Sequence, residues 1–173
     1  DRSLLDLFFN KYHIEHFSLK ERLAIFNGPP EYWDYTAYLS YCDELKSSQL
    51  IEKIKRKMRP HYKVVDRYYH VQHGDDICKI AIPHLEASAK FLYLIGSDSS
   101  PKDSTTNGNF SQDIELKVAL YFRKIKAIKG IVPIILPECK YQVIPEELKN
   151  FACFDLKGNI EKYGDKGFHI PIS

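Results

Sequence analysis

The chain predicts an α/β domain built on a parallel sheet, and three observations predict it. Short β-branched or aromatic runs alternate with stretches of helical periodicity, two of the runs (Phe91–Ile95 and Ile131–Leu136) are apolar almost throughout, and polar turn-rich segments separate them. A strand that is apolar on both faces is buried on both faces, and parallel strands need long crossovers that supply that cover. Five such runs imply a doubly wound, flavodoxin-like sheet in the order 2-1-3-4-5. Its ligand crevice lies beyond the carboxyl ends of strands 1 and 3, where the winding reverses.

The elements follow in order. Residues 1–30 carry Leu4, Leu5, Leu7, Phe8, Tyr12 and Ile14 at mixed helical spacing, and Ser18-Leu19-Lys20-Glu21 has the capping-box pattern of a second short helix. Asn27-Gly28-Pro29-Pro30 ends it, so this segment is expected to be a helical extension or linker, with the domain proper over 31–173. Trp33 to Tyr41 predicts the first strand, running into a polar turn. From Glu44 to Met58 the residues Leu45, Leu50, Ile51, Ile54 and Met58 fall on one helical face. Tyr62–Asp66 predicts a second strand, Arg67–Asp75 a loop, Asp76–Ala87 a helix and Phe91–Gly96 the third strand. After a polar loop, Ser111–Ile128 predicts a helix with Ile114, Val118, Phe122 and Ile125 inward, and then the fourth strand. Pro145-Glu146-Glu147-Leu148 reads as a helical first turn, and Phe151–Leu156 as the fifth strand.

Composition narrows the function. With 44% hydrophobic residues in 173 the chain can fill a core, and a formal charge of +2 gives no bulk electrostatic case for nucleic acid. Four widely spaced cysteines without a C-x-x-C argue for reduced thiols and a cytoplasmic setting. No apolar run approaches the roughly 20 residues that span a bilayer, so no membrane contact is expected within this fragment. A start at Asp1 without Met leads us to expect a piece of a longer protein.

Several chemistries fail on spacing. No glycine-rich phosphate loop follows the first strand. A phosphoacceptor receiver would need an Asp ending strand 3 and a Lys ending strand 4, where Gly96-Ser97 and Pro137 stand. His70, His73 and Cys78 lack a second ligand pair, so no metal is expected. The basic run Lys53 to Arg59 is interleaved with an apolar helical face and reads as a solvated outer surface. The topology leaves Asp113 and Glu115, on the helix overlooking the crevice, as its first acidic residues.

Four motifs carry a resemblance. Tyr35-Thr36-Ala37-Tyr38-Leu39-Ser40-Tyr41 resembles the first box of Toll/interleukin receptor (TIR) domains, and Asp66-Arg67 with Gly74 resembles the second box and its loop. Ala87 to Ile95 resembles the family's third strand. Glu115-Leu116-Lys117-Val118-Ala119-Leu120 followed by Lys129 to Ile135 resembles its helix and fourth strand, closest to the NAD-cleaving members. The match runs from about Tyr35 to Leu156, and the third box would fall at Phe168-His169. His73 stands where the family usually has Pro, and Cys42 where enzymatic members often have Arg.

The resemblance implies two functions. One is signalling assembly with other TIR domains, as a homo-oligomer in an innate-immune pathway, through the loop holding Arg67, Tyr68, His73, Gly74 and Asp75. The other is hydrolysis of NAD+ to nicotinamide and linear or cyclic ADP-ribose, with Glu115 catalytic and no cofactor, NAD+ being the substrate. Tyr41 and Phe110 would stack on the substrate, Cys42 and Ser97 would line it, and Arg67 would meet phosphate. The alternative is an inert adaptor or receptor tail that acts through TIR–TIR assembly alone. Against the catalytic role, a Glu in the first turns of an amphipathic helix is usually a solvated helix former; if Glu115 is catalytic, Glu115→Ala should abolish NAD+ loss and leave the melting temperature nearly unchanged.

Overall fold

The computed structural model describes residues 36–46, 48–96, 111–137 and 144–168. The expected helical extension over 1–30 lies outside them, as do Ser97 and Phe110. Five strands, β1 (Thr36–Ser40), β2 (Lys63–Val65), β3 (Lys90–Ile95), β4 (Gly130–Ile135) and β5 (Phe154–Asp155), form one sheet in the order β2-β1-β3-β4-β5. Every neighbouring pair is parallel. The helices are α1 (Gln49–Met58), α2 (Ile77–Ala87), α3 (Gln112–Lys124) and α4 (Leu156–Tyr163).

Strand alternation sends successive side chains to opposite faces and so divides the core in two. Tyr38, Phe91, Tyr93 and Ile95 join Ile82 and Leu85 of α2 and Leu116, Ala119 and Phe122 of α3 on one face. Ala37, Leu39, Leu92 and Leu94 join Ile51, Ile54 and Met58 of α1 and Leu156 of α4 on the other. Both faces of β3 are therefore dry, which is why its sequence is an unbroken apolar run. Pro133 is tolerated in β4 because β5 pairs only with Ile134 and Ile135, leaving no ladder partner on that side at the proline.

Four expectations are corrected. The first helix begins at Gln49, not Glu44: a single 3-10 turn, Asp43–Leu45, comes first, and Ser48 then caps α1 by accepting from the Leu50 amide at 3.1 Å. In α3 the buried residues are Gln112, Glu115, Leu116, Val118, Ala119 and Phe122, whereas Ile125 is 46% exposed. The inward stripe thus contains two polar residues that a hydrophobic reading rotates outward. The Pro145 turn closes as a short 3-10 segment, Glu146–Leu148, with proline at its cap. The fifth strand is only two residues, because Asp155 caps α4 through the Gly158 amide at 2.8 Å. A Cβ at Gly158 would stand 2.4 Å from Asp155 Oδ2, so a larger residue there would displace the capping carboxylate. Among the described residues no helix is long and apolar enough to cross a membrane.

Candidate functional site at the carboxyl end of the sheet

β1 places Tyr38 and Ser40 on the same face, two residues apart, beneath the amino-terminal turns of α3. Glu115 enters between them. Its carboxylate accepts from the Tyr38 hydroxyl and, at 2.9 Å, from Ser40 Oγ, and Glu115 is fully buried. Arg67, the second residue past β2, reaches the same carboxylate: Nη2 stands 2.8 Å from Oε1, and Arg67 is itself only 2% exposed. The guanidinium also donates to the Tyr41 carbonyl and, through Nη1, to Asp43 Oδ1 at 3.2 Å. One buried cation therefore ties the loop after β1, the loop after β2 and α3 together.

Outside this centre a second layer holds the loops. Tyr41 donates to Asp66 Oδ2 at 2.6 Å, and Lys55 Nζ of α1 meets the same oxygen at 2.6 Å. Tyr68 lays its ring under the Lys46 ammonium, 3.9 Å from the centroid, and donates its hydroxyl to Asp43. Gln112 spans the switch point: its Nε2 donates to the Ser40 carbonyl at 3.1 Å and the Leu94 carbonyl at 2.9 Å, bridging the carboxyl ends of β1 and β3. Those two carbonyls are where the sheet ladder stops, so the amide satisfies groups that would otherwise be buried without partners.

Burial dominates the electrostatics. Complete desolvation pushes the Glu115 carboxyl up to about 7, against Arg67, Tyr38 and Ser40, which favour its charge. Burial opposes the charge of Arg67 too, but Glu115, Tyr38 and Asp43 more than offset it and raise the guanidinium above its ordinary value. The pair is uneven: the carboxyl is the member that takes up a proton, and the guanidinium keeps its charge. Burial, then Glu115, holds Tyr38 well above the usual phenol range, so its hydroxyl stays a donor. Tyr93, across from Ser40 in the β1–β3 register, is raised by burial and by Asp113 and Glu115.

Of the residues the sequence singles out, Glu115, Arg67 and Tyr41 converge here, with half-buried Cys42 on the adjoining loop. His73, Gly74 and Asp75 lie apart, exposed at the far end of the loop that Arg67 begins. Tyr41 is 1% exposed and packs in the α1 face of the core. Sequence reasoning missed Tyr38, Ser40 and Gln112 as site residues. The β1 alternation was a usable signal for the first two, since it puts both under α3.

The expectation that Glu115→Ala would leave stability nearly unchanged is overturned by the burial of Glu115 and its ion pair with Arg67. Removing the carboxylate leaves the buried guanidinium with the exposed Asp43 as its remaining charged partner, a loss of up to roughly 3–5 kcal/mol.

No protein-family model matches the chain, and no curated protein does. Among solved structures it is similar to the TIR domain of the Toll-related receptor TRR-2 from Hydra magnipapillata, with 16% identity over 75% of this chain and 90% of that one and a TM-score of 0.49.

Proposed function

We propose that this chain is a TIR-type signalling domain that self-associates in the cytoplasm and hydrolyses NAD+ to nicotinamide and ADP-ribose. The observation that carries the reading is the carboxylate of Glu115 at the carboxyl end of β1, set against two hydroxyls and a guanidinium. Four sequence motifs in order support the family, and Glu115 is the residue at which motif and topology meet.

In the proposed reaction nicotinamide leaves as a neutral group, so little acid catalysis is needed. Positive charge develops on the ribose, and a carboxylate held against its hydroxyls stabilises that charge. Ser40 and Tyr38 fix the carboxylate. A ribose diol would take the acceptor sites that Arg67 now fills, while the guanidinium turns to the substrate's phosphates, a planar fork suited to that exchange. Water then attacks the ribose carbon.

A second reading has its own support. The complete burial of Glu115 and its pairing with Arg67 are what a structural polar core requires, and a catalytically inert scaffold needs no more. Nicotinamide release separates the two. Protein at high concentration, with and without a crowding agent, is compared with Glu115→Gln, an isostere that keeps the packing. Release by the parent alone supports hydrolysis. Equal release from the variant sinks the assignment, and no release under conditions where sedimentation shows oligomers establishes the scaffold.

A further inference from the structure

We infer that the outer face of α1 is a binding site for a phosphate-bearing anion, separate from the Glu115 crevice. Lys53, Arg56 and Lys57 fall at i, i+3 and i+4, on one stripe of the helix, and line an open depression of about 330 Å³. That volume is at the small end of ligand pockets, which run from roughly 300 to 1,000 Å³. The opposite stripe of the same helix, Ile51, Ile54 and Met58, is buried in the core, so the cations are carried on a fixed support.

Two of the three charges on this stripe meet no ion-pair partner among the described residues. Among the described residues Lys55 turns inward to Asp66 at 2.6 Å and also meets Glu52 at 3.9 Å, whereas no ion pair to a described residue engages Arg56 or Lys57, and both are exposed. Lys53 is positioned from below: its ammonium stands 4.4 Å from the centre of the Phe168 ring and 3.5 Å from Asp165 Oδ1. That carboxylate is 98% exposed, and a pair so open to water is readily exchanged for another anion. The last turn of a helix favours cations through its dipole, which accounts for basic residues there. It does not account for like charges four residues apart, Lys53 and Lys57, around one depression, an arrangement unfavourable until an anion enters.

Three cations on one helical stripe, one of them the planar fork of Arg56, can close on a group with more than one negative charge and several acceptor oxygens. A phosphate monoester or diphosphate fits that description better than a single carboxylate. The group is carried either by a soluble diphosphate or by a lipid headgroup. α1 covers one face of the sheet and α3, with Glu115, the other, so binding here is independent of the proposed hydrolysis.

The test uses the full chain and two probes, sodium pyrophosphate by calorimetry and phosphatidylcholine vesicles with or without a phosphorylated inositol lipid by co-sedimentation. The variant is Arg56→Ala with Lys57→Ala. The control is Arg123→Ala with Lys124→Ala, which removes the same charge from exposed positions of α3. Saturable pyrophosphate binding that weakens about tenfold or more in the variant, but not in the control, supports the site. Displacement of bound vesicles by pyrophosphate assigns the lipid headgroup as a ligand of the same depression, and pyrophosphate binding without vesicle binding assigns the soluble ligand. Absence of saturable binding, equal loss in variant and control, or vesicle binding that pyrophosphate leaves untouched overturns it.

Discussion

At the residue scale, Glu115 sets two measurable behaviours. Its carboxyl is raised from 4.5 to about 7, so between those pH values the folded chain holds a proton that the unfolded chain has released. Stability from this group is therefore present in acid and falls as pH rises through the window, by an amount on the order of 3 kcal/mol. Denaturant titrations at pH 5 and pH 7.5 should show the slope in the parent and its loss in Glu115→Gln; an unchanged slope in the variant would place its origin elsewhere. If the proposed hydrolysis holds, nicotinamide release should rise over the same range, because the charged carboxylate does the work. Arg67 gives the complementary experiment. Arg67→Met or Glu115→Leu alone removes one member of the buried pair and should cost up to roughly 3–5 kcal/mol, while the double variant should cost much less than the sum. Additive losses would mean that the two side chains do not act as a pair. From sequence, Glu115 was readable through topology and motif. The burial of its pair with Arg67 was not, since the hydroxyls that receive Glu115 lie 77 and 75 positions away and leave no local pattern.

At the scale of elements, what was legible depended on whether the buried face was apolar. The core of α1 read correctly because Ile51, Ile54 and Met58 recur at helical spacing. α3 was rotated in the reading because Gln112 and Glu115 occupy its inward stripe, and hydrophobic periodicity assigns polar residues to water. α4 escaped because Phe154-Asp155-Leu156 reads as one strand unless Asp155 is taken as a cap. The loop after β2 carries the element-scale prediction. Gly74 has φ +88°, where an L residue is strained, and no atom lies within 4 Å of where a Cβ would stand. Gly74→Ala should therefore cost about 1 kcal/mol through the backbone alone. Gly74→Pro forces φ to about −65° and must refold the exposed tip around His73 and Asp75. On the assembly reading, sedimentation of the proline variant should lose the concentration dependence of the parent while its circular dichroism is retained; unchanged association would remove this loop from the interface.

At the scale of the whole molecule, the sheet order and its two covered faces were legible because a parallel sheet writes itself as apolar runs separated by crossovers. The site was legible only as a location, the carboxyl ends of β1 and β3, because side chains from four separate segments complete it. This construction links the proposed activities. Arg67 closes on Glu115 from the first residues of the loop whose tip is the proposed assembly surface, and Tyr68 beside it holds Asp43, the outer partner of the same guanidinium. A partner that engages this loop acts on the guanidinium and on the outer carboxylate that tethers it. Nicotinamide release per protomer should then rise with protein concentration across the range in which sedimentation shows oligomers forming, and Gly74→Pro should flatten that rise without touching Glu115. Asp43→Asn weakens the outer tether of Arg67 together with the Tyr68 hydrogen bond, and should shift the rise to lower concentration. Release strictly proportional to protein over that range would show that each protomer works by itself, and would separate hydrolysis from assembly.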